Sequence, residues 1–139
     1  MQNHLVRFGV SLQKSLIDRF DQLIRQKGYA NRSEAIRDMI RERLIAEEIE
    51  SDHQVVGILH LLYDHHKREL SERLTEIQHQ AHDSVISSTH IHLDHDNCLE
   101  AIILKGRAKK IQELANKILA TKGVKNGKLY VTSTGQDLA

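Results

Sequence analysis

The chain has 139 residues and a formal net charge of +1, so its overall charge identifies no partner. This length accommodates one or two small domains. Its single cysteine, Cys98, excludes a disulfide framework and fits the reducing cytoplasm, where we place the protein. No basic segment followed by an apolar core opens the sequence, and no apolar run approaches the ~18 residues of a membrane helix. We therefore expect neither a signal peptide nor a membrane-bound protein.

The charges are unevenly distributed along the chain. Residues 1–45 contain nine lysines and arginines against five acidic residues, whereas the remainder is mildly acidic. A basic first part followed by an acidic second part favours a nucleic-acid partner for the first part. The alternative explanation of this uneven charge distribution is ordinary variation among the charged residues of solvent-exposed helices.

The first part of the chain predicts one strand and two helices. Residues 5–11 alternate between apolar and polar side chains, which predicts a half-buried strand. Apolar residues at helical spacing then predict a helix that is capped by Ser11 and ended by Gly28. A second helix is predicted to begin at Asn31, with Glu34 completing a capping box. Because one strand cannot form a sheet, it must pair with a second copy or with another chain.

The second part of the chain predicts an α+β domain of ferredoxin-like order. The acidic stretch at 47–52 is interpreted as a frayed helix end, and it separates a domain at 1–50 from a domain at 53–139. Strands are predicted at 54–63, 84–93, 98–104 and 128–133, and helices at 66–80 and 107–120. The resulting order is βαββαβ.

Histidine is unusually frequent in this second domain. The chain has ten histidines against one cysteine, and seven of the ten lie between residues 65 and 95. His90 and His92 share one face of a predicted strand because side chains alternate along a strand. After a short turn, an antiparallel hairpin brings Cys98 near this pair. Two imidazoles and one thiol from a single hairpin indicate a metal site.

The helix before the hairpin offers a fourth ligand, either His79 or His82. Three imidazoles and a thiolate can hold zinc tetrahedrally, or copper or nickel in a planar arrangement, and the residues alone leave that choice open. The competing interpretation makes the strand histidines solvent-facing and Cys98 part of the core. No Glu or His is placed as a general base beside an open metal position, so we do not expect an enzyme.

Taken in order, the motifs resemble the nickel-responsive transcriptional regulators, the NikR-like family. The first matching segments are residues 5–12 and 28–38, which resemble the ribbon-helix-helix half of these proteins. The others resemble its metal-binding regulatory half and lie at 63–70, 78–79, 89–93 and 95–100. The resemblance runs from about residue 5 to residue 130, nearly the whole chain.

The resemblance implies a particular metal and a particular assembly. His90, His92 and Cys98 match the three nickel ligands that one protomer supplies in the family, and His79 matches the fourth, which comes from a different subunit. The family's square-planar geometry selects nickel over zinc, with one Ni²⁺ per chain. The implied assembly is a homotetramer made of two dimers.

The resemblance also implies how double-stranded DNA is bound. Family members pair their N-terminal strands into a ribbon that enters the major groove, where Arg7, Gly9 and Ser11 match the positions that read bases. We expect a palindromic operator and a repressor. Lys67 and Arg68 match a basic pair that contacts phosphates. Family members often carry a hydroxyl residue where this chain has Gly9, so base reading at that position is lost or passes to Arg7.

The resemblance also concerns two carboxylates of the first domain. Glu34 and Asp38 match residues that help to hold a second cation in some family members.

Two alternative functions remain open. One alternative is a ribbon-helix-helix repressor that senses zinc, copper or a small molecule instead of nickel. The other is an antitoxin-type regulator, although such proteins usually have a disordered tail where this chain has a patterned domain.

Overall fold

The computed structural model describes residues 4–139, which form eight helices and strands. The chain divides into two compact units, Met1–Glu42 and Arg43–Ala139. In the described residues, no helix combines the length and the apolar character needed to cross a membrane.

Residues 4–13 of the first unit have no regular secondary structure. The predicted strand at 5–11 does not form in the single chain, because a strand needs a hydrogen-bonded neighbour. Its apolar side chains Val6, Phe8 and Val10 are 77%, 70% and 65% exposed. The predicted cap at Ser11 is wrong. The N-cap residue is Gln13, which makes no side-chain cap, and Ser11 lies too far upstream to reach the free N–H groups of the helix.

Two helices follow, α1 (Lys14–Gln26) and α2 (Arg32–Glu50). Gly28 ends α1 as predicted, with a φ of +85° that favours glycine. The backbone N–H of Glu34 donates to the side-chain oxygen of Asn31 at 3.0 Å, which confirms the predicted start of α2. The chain therefore turns sharply between the two helices, as the sequence indicates.

The first unit buries few of its own side chains. Among its described residues, only Ile24 and Ala35 belong to the buried apolar set. Several large apolar side chains of α1 and α2 remain about half exposed, namely Leu16, Leu23, Met39 and Ile40. As a single chain, this unit has almost no core.

The second unit is a four-stranded antiparallel sheet with two helices. Its strands are β1 (Gln54–Asp64), β2 (Val85–His92), β3 (Asn97–Arg107) and β4 (Val124–Ser133), and its helices are α3 (Arg68–Gln80) and α4 (Ala108–Leu119). The spatial order is β2-β3-β1-β4 with every neighbour antiparallel. The predicted βαββαβ order is confirmed. The helix predicted from residue 66 starts at Arg68, so His65 and His66 lie in the turn before it.

One face of the sheet packs against both helices. Alternate residues of β1 and β3 are buried there with the apolar faces of α3 and α4, and the largest of these side chains are Leu59, Leu61, Leu74, Ile77, Ile102, Leu104, Ile111 and Ile118. The opposite face is not covered within the chain. Ile58, Ile91 and Tyr130 on β1, β2 and β4 are each about half exposed.

The acidic stretch at 47–52 is not a frayed helix end. The helix α2 continues to Glu50, and Ile49 packs against the core of the second unit. Asp52 then accepts a hydrogen bond of 2.8 Å from the backbone N–H of Lys109 and one of 3.2 Å from Arg107. These bonds lower the pKa of Asp52, with the Lys109 N–H as the largest cause. The stretch therefore anchors the end of α2 to the start of α4.

Candidate metal centre

The β2–β3 hairpin sets the geometry of the predicted site. His92 lies opposite Cys98, and His90 lies opposite Glu100. Paired residues of neighbouring strands project from the same face of a sheet, with Cβ atoms about 4.5–5.5 Å apart. All four side chains therefore belong to the helix-covered face, where Cys98 and Glu100 are 1% exposed while both histidines remain open to solvent.

Glu100 is a buried carboxylate surrounded by donors. It accepts hydrogen bonds from the Tyr63 hydroxyl at 2.9 Å, from Gln78 Nε2 at 2.9 Å and from the Ser88 hydroxyl at 2.6 Å. A buried charge is tolerated only when it is paired in this way. Glu100 is 1% exposed, so it is an interior carboxylate and not a surface charge.

Tyr63 links this carboxylate to His90. Burial and the Glu100 charge raise the pKa of Tyr63, so its hydroxyl stays protonated. The hydroxyl proton is donated to Glu100, and the oxygen, 3.2 Å from His90 Nδ1, can then accept from that nitrogen. In that tautomer His90 Nε2 carries the lone pair, and a cation bound there would lie beside the Glu100 carboxylate, whose Oε1 is 3.4 Å from Nε2. A hydrogen bond to one ring nitrogen that leaves the other available is the usual arrangement of a metal-ligating histidine.

The donor set fits a thiolate-containing metal centre. The thiol of Cys98 and the two imidazoles meet on one face of the hairpin, and Glu100 adds a buried negative charge 3.4 Å from His90 Nε2. In the single chain, the ligand atoms of His90, His92 and Cys98 do not all lie within 4.8 Å of one another. His90 is instead held by Tyr63, so side-chain rotations would be needed to bring the ligands together.

The two helix-end histidines lie beside this hairpin. A cleft of about 300 Å³ between the end of α3 and β2 is lined by His79, His82, His90 and Glu100, among others. His79 is exposed, so it is available to a neighbouring chain or to its own cleft. Gln78, directly before His79, donates to Glu100. The end of α3 is therefore tied to the hairpin by a residue that the sequence did not single out.

The residues predicted to contact DNA are all exposed. Arg7, Gly9 and Ser11 lie in the irregular segment before α1. Lys67 directly precedes α3 and Arg68 begins it, with Arg68 bound to Glu72 at 2.9 Å.

The sequence does not predict a further set of basic residues, because they come from a distant part of the chain. Lys67 and Arg68 line a cleft of about 860 Å³ together with Arg73, Lys117 and Lys122. Lys117 and Lys122 reach this cleft because the end of α4 lies beside α3, and residue spacing in the sequence does not show this.

The two carboxylates predicted for a second cation lie one turn apart on α2. Asp38 accepts a hydrogen bond of 2.8 Å from the Tyr29 hydroxyl and one of 3.2 Å from Arg41. The first of these bonds, with the nearby charge, raises the pKa of Tyr29. Both oxygens of Asp38 therefore have protein donors, whereas the structure gives Glu34 a role only through its backbone N–H.

Comparison with known proteins identifies both parts of the chain. The model of the NikR C terminal nickel binding domain matches residues 56–132, and the model of the ribbon-helix-helix protein, copG family, matches residues 6–47. A ribbon-helix-helix module joined to a nickel-binding domain defines a DNA-binding transcription regulator and not an enzyme.

Similar proteins give the same result over almost the full length. A protein of Nitratidesulfovibrio vulgaris strain Hildenborough is 54% identical over 134 residues, covering 96% of each chain. One of Desulfovibrio desulfuricans is 53% identical over 136 residues, covering 98% of this chain and 99% of its own. Both are provisionally named as nickel-responsive regulators. The chain belongs to the nickel-responsive regulator family.

Among solved structures, the fold resembles an uncharacterized protein of Thermotoga maritima. The TM-score is 0.51 at 15% identity, and the match covers 57% of this chain and 98% of the other. At this identity the likeness concerns the fold alone.

Proposed function

We propose that the protein is a nickel-dependent repressor, in which one nickel ion per chain controls affinity for a palindromic operator. The observation that carries the proposal is the register of the β2–β3 hairpin, with His92 opposite Cys98 and His90 beside the buried Glu100. A thiol next to two imidazoles is a donor set for a late transition metal.

The proposed nickel ligands are His90, His92 and Cys98 of one chain and His79 of the partner subunit. Bound nickel would supply a cross-link between two chains. The side chains of this chain orient the ligands, because Tyr63 fixes His90 and Glu100 holds Tyr63. Gln78 fixes the end of α3, from which His79 projects.

The proposed assembly is a homotetramer formed from two dimers. Two surfaces support it. The first unit leaves its N-terminal segment and the apolar residues of α1 and α2 exposed, which fits a ribbon and helices completed by a second copy. The second unit leaves one face of its sheet uncovered, at Ile58, Ile91 and Tyr130. A ligand supplied in trans needs an interface of this kind between regulatory domains.

The proposed domains are 1–50 for DNA binding and 53–139 for nickel binding and tetramer formation. This boundary follows the end of α2 at Glu50 and the start of β1 at Gln54, whereas the compact units divide within α2, between Glu42 and Arg43. We place the protein in the cytoplasm, because its DNA partner is there and because a reducing compartment keeps Cys98 available as a thiol.

Base reading is proposed for the exposed segment before α1. Arg7 is the residue that can form a bidentate pair with a guanine edge, whereas Gly9 offers no side chain and Ser11 offers one hydroxyl. Lys67 and Arg68 would bind phosphates, which adds affinity without sequence information. Glu34 and Asp38 are proposed for a second cation, for which Asp38 would have to exchange a donor, Tyr29 or Arg41.

Replacing the two kinds of basic residue tests this division. Arg7→Ala is expected to lose both affinity and specificity for the operator, at a cost of about 1–3 kcal/mol. Lys67→Ala is expected to weaken binding equally on all sequences and to flatten the salt dependence by about one charge. Fluorescence anisotropy over a range of salt concentrations, on a site selected from random DNA and on a scrambled site, measures both effects.

Lys109→Ala is the matched control, because it removes an exposed lysine outside the proposed DNA surface and leaves the backbone N–H that binds Asp52. It should leave both affinities unchanged. Equal losses on selected and scrambled DNA for Arg7→Ala and Lys67→Ala would contradict the proposed roles.

Glu100→Gln tests the support of the nickel site. The neutral side chain keeps its size but loses the charge that three donors surround, so His90 is less firmly oriented. Loss of such supporting contacts typically weakens metal binding about 10–100-fold. Competition with a chelator measures the affinity, and Glu113→Gln, an exposed residue of α4, is the control. Unchanged nickel affinity in Glu100→Gln would show that the Glu100 carboxylate does not support the nickel site.

A further inference from the structure

The junction between α2 and β1 contains an aspartate in a conformation that favours glycine. Asp52 has a φ of +55°, and among residues 4–139 no other non-glycine residue has a positive φ. Its backbone N–H donates to the carbonyl oxygen of Ile49 at 3.2 Å, and the N–H of His53 donates to that of Glu48 at 2.9 Å. This pair of bonds is a common helix ending, in which glycine usually occupies the left-handed position. Glycine would serve the turn itself at least as well, so the side chain of Asp52 needs a separate explanation.

The side chain of Asp52 caps the first turn of α4. The N-cap residue of α4 is Arg107, which makes no side-chain cap, and the first turn contains no acidic residue of its own. Asp52 Oδ1 instead accepts a hydrogen bond of 2.8 Å from the backbone N–H of Lys109. The carbonyl oxygen of His53 accepts one of 3.0 Å from the N–H of Ala108. Because the first N–H groups of a helix have no partner within it, and because its dipole favours a carboxylate there, two consecutive junction residues complete the start of α4.

Arg107 adds a second bond to the same carboxylate. Its Nε lies 3.2 Å from Asp52 Oδ2, so both oxygens of Asp52 have a donor. The side chain of Asp52 is 21% exposed and that of Arg107 is 66% exposed, and an ion pair so open to water contributes little by itself. The bond from the Lys109 N–H therefore provides most of the attachment. We call Asp52, the Arg107 side chain and the Lys109 N–H the junction clamp.

The junction clamp fixes the end of the helix that comes from the ribbon-helix-helix module. The match to that module ends at residue 47, and α2 continues to Glu50, directly before the clamp. Ile49 packs against the core of the second unit. Residues 51–53 are bonded through their backbone and through the Asp52 side chain, so they do not form a free swivel. A continuous bonded connection of this kind can carry a change in the regulatory domain to α2.

We propose that Asp52 is a positioning residue for regulation, because the junction clamp transmits the effect of nickel from the regulatory domain to the DNA-binding domain. This role rests on the proposed function of a nickel-dependent repressor. With the clamp closed, a rearrangement of the regulatory domain moves α2 with it. With the clamp open, α2 moves independently, and the N-terminal ribbon and the phosphate-binding residues Lys67 and Arg68 give each other less support on one operator.

The junction clamp lies far from the proposed nickel ligands. Arg107 ends β3 and Cys98 lies near its start, about 30 Å away along the strand at the usual rise per residue. Opening the clamp therefore leaves the nickel ligands and their supporting contacts in place. A residue that only stabilised the nickel centre would change nickel affinity, whereas Asp52 changes how far bound nickel alters operator affinity.

Asp52→Gly opens the clamp without straining the turn, because glycine adopts a positive φ freely. Fluorescence anisotropy measures operator affinity of the full-length protein with and without one nickel ion per chain, on a site selected from random DNA by the nickel-loaded parent. The factor by which nickel tightens binding should be about 2- to 30-fold smaller than in the parent, the usual range for mutations that alter coupling between sites. Nickel affinity without DNA should not change. Hydrogen exchange of the nickel-free protein should become faster at residues 108–111, where the cap is lost.

Two further variants serve as controls. In Asp52→Asn the amide oxygen can still accept from the Lys109 N–H, and asparagine tolerates a positive φ, so only the exposed ion pair with Arg107 is weakened. This conservative variant should respond to nickel as the parent does. Asp137→Gly is the matched control, because Asp137 lines the same cleft of about 320 Å³ as Asp52 but is not part of the clamp. It should also keep the full response.

The outcomes separate the clamp from the function on which it rests. A parent protein whose operator affinity ignores nickel would refute the proposed function, and the role of the clamp with it. A parent that responds to nickel, together with an equal response in Asp52→Gly, would refute the clamp alone. The clamp would also be overturned if Asp52→Asn or Asp137→Gly lost as much of the response as Asp52→Gly, or if hydrogen exchange at residues 108–111 were no faster in Asp52→Gly.

Discussion

Cys98→Ala is expected to lose nickel binding by more than about 100-fold, which exceeds the usual effect of removing a supporting contact. Cys98 is the only cysteine in the chain, so no other thiol can replace it. It lies opposite His92 on the helix-covered face of the sheet, where the thiolate is shielded from water. The absorption band between thiolate and nickel should disappear with the affinity.

The controls separate a lost ligand from a damaged fold. Cys98 is buried, so replacement by alanine removes only one heavy atom from the core, and the melting temperature of the nickel-free protein should change little. Cys98→Ser keeps the shape but offers a poor ligand, and it should behave as the alanine variant does. Full nickel affinity with an unchanged spectrum in Cys98→Ala would show that the ligand assignment is wrong.

Nickel loading is expected to tighten operator binding about 5- to 150-fold, the usual range of coupling between two sites. A ligand shifts an equilibrium only by binding one arrangement better than another. The hairpin ligands are joined through Tyr63 and Glu100 to Gln78 near the end of α3. The same helix begins at Arg68, ten residues and about 15 Å away.

The helix α3 thus connects the proposed nickel ligands with the basic residues at its start. Ordering its end through Gln78, and through its own His79 bound to the nickel of another chain, would fix the positions of Lys67 and Arg68. Gln78→Met removes the bond to Glu100 at similar side-chain length. Gln78→Met should reduce the effect of nickel on operator affinity while leaving the DNA affinity of the nickel-free protein unchanged. Gln80→Met, at the exposed last position of α3, is the control and should preserve the effect of nickel.

The sequence predicts the order of elements in the second domain, because apolar or alternating segments mark its strands and helical spacing marks its two helices. The β2–β3 register, and with it the pairing of His92 with Cys98, follows from the alternation and from the short turn at Asp94. Burial of Glu100 also follows from its place two residues after Cys98. Its three donors do not, because Tyr63, Gln78 and Ser88 come from separate elements that are brought together only by the packing of α3 on the sheet.

The first domain is predicted less well, because its N-terminal strand pattern forms no strand within a single chain. Residues 5–11 have a strand pattern but no strand, since the hydrogen-bonded neighbour must come from another chain. The start of α1 was misplaced for a different reason. Ser11 has the right chemistry for a cap, but it lies two residues before Gln13, which occupies the N-cap position without making a side-chain cap.

We propose that nickel binding and operator binding are coupled. The coupling is measured directly by the affinity of the full-length protein for a selected operator, at fixed salt, with one nickel ion per chain and without nickel. We expect binding to be tighter by about 5- to 150-fold with nickel, and nickel affinity to rise by the same factor when operator is present. Operator affinity that does not change with nickel would contradict it and leave a repressor whose metal site has no part in regulation.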